Sequence, residues 1–278
     1  MAARSSSSSS KRWRVRPGRD PGLDAIATDT TDGAPGGGDK TETVKATGEL
    51  SERLGELQGR LWAEGRRSLL VVLQAMDAAG KDGAVKHVFR GVNPMGVHAV
   101  AFTAPTHPEL AHDFLWRINR ELPERGDIGI FNRSHYEDVL IVRVDELVPE
   151  SVWRPRFDAI RSFEKHLVSE GTTIVKVYLH ISKEEQAKRF RARLEDPAKN
   201  WKFAPGDLEV RQRWGDYRAA YTEAIKRTAT ADAPWYVIPA DRKWYRNWAM
   251  STVLVETLER MDPKYPAPAE GLHKIVID

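Results

Sequence analysis

An uncharged run, Ser68-Leu69-Leu70-Val71-Val72-Leu73, leads straight into a loop of small residues and then into Gly80-Lys81. A strand that is apolar throughout must be covered on both faces, which points to a parallel sheet between layers of helices. The loop reads Gln74-Ala75-Met76-Asp77-Ala78-Ala79-Gly80-Lys81-Asp82-Gly83, and a helix is expected from about Lys81. Strand, tight loop and helix start together make an anion site. Backbone N–H groups converge at the helix end, a glycine allows close approach, and a lysine adds a mobile point charge.

The loop follows the Walker A pattern G-x-x-x-x-G-K-[ST] with two departures. Ala75 occupies the place of the first glycine, and Asp82 replaces the hydroxyl residue that normally ligates Mg²⁺. Asp77 is then the nearest carboxylate able to offer oxygen to a metal, because Mg²⁺ takes few protein oxygens and keeps several waters.

The rest of the chain alternates in the same way. Strands are expected at Val97 to Phe102, Ile128 to Phe131, Thr173 to Leu179 and Trp235 to Ile238. Helical stretches are expected at about 81–90, 108–122, 155–170, 183–195, 207–228 and 243–260, and Leu50, Leu54, Leu57 and Leu61 recur at helical spacing before the first strand. This order predicts an α/β fold, a mostly parallel sheet with helices on both faces. The 278 residues suit one such domain, at residues 46–278, with a lid at about 183–228. Residues 1–45 contain a serine run, Gly36-Gly37-Gly38 and few large apolar groups, a composition that predicts a disordered arm. The arm's cations, Lys11, Arg12, Arg14, Arg16 and Arg19, read as a solvated tail.

The second chemical cluster is Asn132-Arg133-Ser134-His135-Tyr136-Glu137-Asp138, a burst of polar residues ending the short strand Ile128-Gly129-Ile130-Phe131. Polar groups there stand at the carboxyl edge of the sheet, where α/β proteins bind ligands. The intervening chain is long enough to return this strand beside the first. Asn132 is then expected near the metal and Arg133 near a phosphate, which a planar guanidinium can hold through two oxygens. His135 is read as a hydrogen-bonding residue, since phosphoryl transfer between anhydrides needs no strong base. Near the chain's end, Asp241 is read as the N-cap of the last helix.

Residues 183–213 carry nine Lys/Arg against six Asp/Glu, although the whole chain has a net charge of only +3. Arg189 and Arg193 are four apart, and Lys199 and Lys202 follow beyond Pro197. Cations spaced along a helical hairpin can track an extended anion and close over the loop as a lid.

The motifs MDAAGKDG, GIFNRSHYEDVL, KNWKF and APWYVIPADRKW occur in that order, and through them the sequence resembles the second polyphosphate kinase family from about Gly48 to Met261. The resemblance implies a P-loop kinase fold similar to thymidylate kinase, with a helical lid. It implies phosphoryl transfer between inorganic polyphosphate and nucleotides, dependent on Mg²⁺ or Mn²⁺. By the matching motifs it implies catalytic roles for Asp77, Lys81 and Arg133, to which the reading of the strand end adds Asn132. It also implies polyphosphate contacts for Arg193, Lys199 and Lys202; the loop and lid readings add Gly80, Lys81 and Arg189, and nucleotide contacts are expected at Arg133, Glu137 and Asp138. Many members have Asp where Asn132 stands, and the asparagine resembles the branches that accept nucleoside monophosphates, alone or besides diphosphates. Adenine nucleotides are expected, with guanine nucleotides left open, and the resemblance implies a homodimer or homotetramer.

The rival on the same scaffold is an ATP-dependent nucleoside monophosphate kinase. A nucleic-acid-binding protein needs aromatics interleaved with exposed cations, and Trp201 with Phe203 falls short of that, so no nucleic-acid partner is expected. No apolar run approaches the ~20 residues needed to span a bilayer, so no membrane partner is expected either. The first twenty residues lack the apolar core of a secretory signal, although their Ser/Arg-rich start is also of the kind found in transit peptides. The chain has no cysteine, which excludes thiolate chemistry and suits a reducing cytoplasm.

Overall fold

Strand β1 (Ser68–Ala75) is buried at all eight positions and lies in the middle of a five-stranded sheet. In this computed structural model, which describes residues 9–271, 275 and 277, the sheet order is β2-β3-β1-β4-β5, and every neighbouring pair is parallel. The other strands are β2 (Val97–Ala101), β3 (Ile128–Asn132), β4 (Thr172–His180) and β5 (Trp235–Pro239). Parallel pairing of β1 with β3 sets Leu73 opposite Asn132. That register places the polar end of β3 beside the loop that leaves β1, at the carboxyl edge where such sheets bind ligands.

Helices fill both layers. Helix α1 (Lys40–Glu64) starts on an Asp39 cap that accepts the Glu42 N–H at 2.9 Å, and it stops at Gly65, whose φ of 60° a side chain would resist. Its Leu54, Leu57 and Leu61 lie fully in the core. Helix α2 (Lys81–Val88) follows the loop, α3 (Arg156–Ser169) precedes β4, and α4 (Lys183–Glu195), α5 (Gly206–Gln212) and α6 (Trp214–Thr228) link β4 to β5. The last, α7 (Lys243–Met261), packs along α1 and α2, while α3 packs on β4 and against α6. Among the described residues no helix is long and apolar enough to cross a membrane.

Three expectations are corrected. The helix expected at 108–122 is two single turns, His107–Leu110 and Trp116–Asn119, because the Asp113 carboxylate accepts the Leu115 N–H and turns the chain between them. The stretch 207–228 breaks at Arg213 into α5 and α6, and α6 belongs to the core rather than to a lid. Its Ala220, Ala224, Ile225 and Thr228 are buried. The projecting part of the expected lid is therefore the segment 194–213.

The third concerns the disordered arm at 1–45, whose first eight residues lie outside the described ones. From Ser9 the chain is a strap docked on the domain. Arg14 forms an antiparallel bridge with Tyr236, and Val15 N–H donates to Trp235 C=O at 2.9 Å, so the strap covers the free edge of β5. Trp13, Val15 and Leu23 are buried, and the Trp13 ring meets Tyr245 and Trp248 edge-on. A few well-placed anchors on an existing apolar face suffice where average composition predicts disorder.

Candidate active site

The loop between β1 and α2 bends through two left-handed residues, Ala78 at φ 60° and Gly80 at φ 94°. The first helical hydrogen bond runs from Ala84 N–H to Gly80 C=O at 2.9 Å. The N–H groups of Lys81, Asp82 and Gly83 precede that ladder and are free for an anion. Lys81 Nζ, folded back over the loop, donates to Ala75 C=O at 3.2 Å. Burial lowers the pKa of its ammonium, and Arg133 adds to that, while Asp77, Glu137 and Asp82 oppose the shift. Phosphate oxygens would add to the counter-charge these carboxylates supply.

From β3, Arg133 N–H donates to Leu73 C=O, and its guanidinium reaches Asp77 Oδ1 at 3.3 Å. Arg133 sits at φ 64°, a left-handed conformation that costs a non-glycine residue about 1–3 kcal/mol and clusters at functional sites. Asn132 Nδ2 donates to Asp82 Oδ1 at 2.8 Å. The expected catalytic set Asp77, Lys81, Asn132 and Arg133 thus converges around one loop, with Asp82 as a fifth member.

Beyond Arg133 opens a cavity of about 600 Å³ lined by Asp77, Arg133, Glu137, Val210, Tyr217 and Tyr221, among others. Burial raises the Glu137 carboxyl, against the pull of Arg133 and Lys81. Asp138, expected beside it, faces elsewhere and accepts from Arg156 NH1 at 2.9 Å. That pairing follows from the 3-10 turn at His135–Val139, which points successive side chains in different directions. His135 is buried against Glu164, consistent with the structural role expected for it.

The lid cations divide into two kinds. Lys202 Nζ reaches Asp82 Oδ2 at 3.1 Å, which brings the tip of the 194–213 segment onto the phosphate loop. Burial pushes the Asp82 carboxyl up, but the bonds from Lys202 and Asn132 outweigh it and hold the group below its ordinary value. Lys199 is exposed and pairs with Asp196. Arg193 braces the hairpin through Lys202 C=O and lies 3.8 Å from Asp207. Arg189 does not share their surface. It is buried, and it donates to the carbonyls of Ala78, Ala79, Ala240 and Asp241 and to Glu185. The expected polyphosphate contact at Arg189 gives way to support of the loop from behind, because α4 turns that side chain into the sheet's edge.

Several supporting residues are absent from the sequence reading. Gln186 Nε2 donates to Asp77 C=O at 3.0 Å and Tyr221 OH to Ala75 C=O at 3.0 Å. Arg246, buried in α7, donates to Gly80 C=O at 3.1 Å. Its one sequence cue is a cation among the aromatic residues Trp244, Tyr245 and Trp248 at the start of α7. Asp241 is no helix cap. It accepts from Ser182 N–H, Ser182 Oγ and Thr28 Oγ1, tying β5, α4 and the strap together.

A carboxylate-rich metal cage is absent among the described residues. The donors fit a magnesium ion that arrives with phosphates, since such an ion needs only one or two carboxylates from the protein.

A family model described as Polyphosphate kinase 2 (PPK2) matches residues 38–266. The chain is 52% identical over 268 residues to the AMP/ADP-polyphosphate phosphotransferase of Meiothermus ruber, covering 96% of this chain and 100% of that protein. It is 50% identical over 235 residues to the ADP-polyphosphate phosphotransferase of Rhodopseudomonas palustris, covering 80% and 81% of the two chains. Among solved structures, Polyphosphate Kinase 2 from Arthrobacter aurescens TC1 superposes with a TM-score of 0.90 at 43% identity, over 95% of this chain and 93% of that one.

Proposed function

The chain belongs to the polyphosphate kinase 2 family, and from that premise we propose that its site moves the terminal phosphoryl group between inorganic polyphosphate and AMP or ADP. The observation that carries the reading is the convergence of Lys81, Arg133 and the free helix-start amides on one side of a loop that the lid cation Lys202 also reaches. Phosphoryl transfer asks mainly for positioning and for charge stabilisation of the transferring group, and these groups provide both.

Polyphosphate lies along the lid and enters over α2, where the amides and Lys81 hold its end. The nucleotide occupies the cavity beyond Arg133, with its phosphate on Arg133 and its base between Val210 and Tyr217. Glu137 lines that cavity and orients the acceptor. Asp77, braced by Arg133, would hold Mg²⁺ or Mn²⁺, with Asn132 and Asp82 beside it. The metal when bound neutralises phosphate charge. The protein's own groups orient donor and acceptor in line, and the closed lid excludes water.

Acceptance of guanine nucleotides, assembly as a homodimer or homotetramer, and a cytoplasmic location belong to the same proposal, as does the division into a domain with a lid. Product analysis with AMP, ADP, GMP and GDP offered one at a time, polyphosphate being the sole phosphate source, tests the reading. ADP formed from AMP, or ATP from ADP, is the expected result. No nucleotide product from any acceptor would overturn it.

A further inference from the structure

Arg246 lies in the first turn of α7, 2% exposed, and its guanidinium sits directly behind the phosphate loop. Its NH1 donates to Gly80 C=O at 3.1 Å and, at 3.4 Å, to Ala79 C=O, while Nε and NH2 donate to Asn247 Oδ1 at 3.1 and 2.8 Å. Arg189 takes the carbonyls of Ala78 and Ala79 from the same side. A trans peptide whose carbonyl is drawn backward presents its N–H forward, so the guanidiniums on the carbonyls of Ala79 and Gly80 turn the Gly80 and Lys81 amides toward the anion, while the Ala79 N–H is spent on Met76 C=O. The fit is close. A Cβ on Gly80 would come within 2.5 Å of Arg246 NH1, so glycine is needed there for proximity as well as for its φ.

The charge balance is the unusual part. Arg189 has Glu185 as a partner, but among the described residues Arg246 forms no ion pair with a carboxylate. Its side-chain acceptor is the neutral amide of Asn247. A buried cation without a counter-ion is costly. Burial, and then repulsion from Arg189, push its pKa down to about 10, so it remains charged at neutral pH.

We propose that Arg246 is a positioning residue for polyphosphate binding, one that holds the phosphate loop in its anion-ready form and supplies, through the loop, a buried positive charge whose counter-ion is the substrate itself. This rests on the phosphate-loop reading above. Because the charge is buried, its attraction for the substrate resists salt, unlike that of the lid cations.

Asn247→Asp is the decisive variant. It keeps the shape and both hydrogen bonds to Arg246 but gives that cation a permanent counter-ion. A purely structural arginine would be held at least as well by the aspartate, and substrate binding would not change. The proposal requires the opposite. KM for tripolyphosphate and for long polyphosphate should rise about tenfold, the effect of offsetting one partly buried charge several ångströms away. The increase should survive added salt, with kcat within about twofold of wild type and the melting temperature of the ligand-free protein unchanged or higher. Arg246→Met should raise KM further, and if it does not fold, Asn247→Asp decides alone. Lys81→Met serves as the control. If Lys81→Met is disabled while Asn247→Asp binds polyphosphate as wild type does, the inference is overturned and the active-site reading stands. If Lys81→Met keeps normal activity, the active-site reading itself fails, and the inference with it.

Discussion

Behind the phosphate loop, Arg189 and Arg246 are 8% and 2% exposed and spend their N–H groups largely on carbonyl oxygens. In front of it, Lys199 and Lys202 are 57% and 34% exposed and pair with the carboxylates of Asp196 and Asp82. The first pair is fixed in place and weakly screened, so it acts on the loop's shape and potential. The second is exposed to solvent and screened by its ions, so each member contributes little and the proposed polymer contact rests on their number. A protein that must grip a polymer end firmly yet let the polymer slide needs both arrangements. Rigid charge belongs at the reacting phosphate and soft charge along the chain that feeds it.

The sharpest way to break this division is at Lys81, which sits on the loop itself. Lys81→Met should lower kcat by about 10²–10³, as loss of a preorganised donor does, measured by nucleotide formation at saturating polyphosphate. Near-normal turnover in a folded protein would remove the loop from the mechanism. Next comes Asp77→Asn, which should move the Mg²⁺ midpoint of activity upward by about tenfold, because one of the few protein oxygens available to the ion is lost. An unchanged metal titration would place the ion elsewhere, with Asp82 the first alternative.

These two expectations were legible in the sequence because a strand, a glycine and a lysine in succession define a local structure whatever surrounds them. The same holds for Asn132 and Arg133, which the register of β3 against β1 delivers to the loop. Arg246 was not legible in this way. Its role depends on α7 packing beside α2, which no local pattern contains. Arg189 and Arg193 share a helix face by spacing, yet one enters the sheet's edge and the other braces the hairpin, because the neighbouring elements diverge along α4. The strap was missed for a different reason. Trp13, Val15 and Leu23 are outnumbered by small and polar residues, and averaging hid them.

A softer perturbation sharpens the contrast on the lid side. Neutralising Arg193, Lys199 and Lys202 together should raise KM several-fold for long polyphosphate and less for tripolyphosphate, which is too short to follow the segment. The difference should shrink as ionic strength rises. Within the set, Lys202 should matter most and Lys199 least, since Lys202 alone reaches the loop through Asp82. Equal changes for both polymers would show that these cations do not line the polymer's path.

The smallest effect is read in degrees. Burial raises the pKa of the Glu137 carboxyl, so the folded state favours its protonated form. The resulting stabilisation is complete below the ordinary glutamate pKa and is lost as pH rises through the raised value. Glu137→Gln should therefore raise the ligand-free melting temperature at neutral pH by a few degrees and flatten its rise toward acid pH. A lower melting temperature at neutral pH would mean that Arg133 and Lys81 need this carboxylate more than burial opposes it.

The strap has a consequence for how the molecule is made. Trp13 Nε1 donates to Tyr245 OH across a sequence separation of 232 residues, and the backbone bridge from Arg14 reaches β5, the last strand. A ribosome releases the first of these partners long before the second exists. The strap therefore waits undocked through nearly the whole of translation, and closing so long a loop gains its reward only after β5 has joined the sheet. Its docking marks a finished domain, and a chain that stalls before residue 235 has nowhere to seat Trp13.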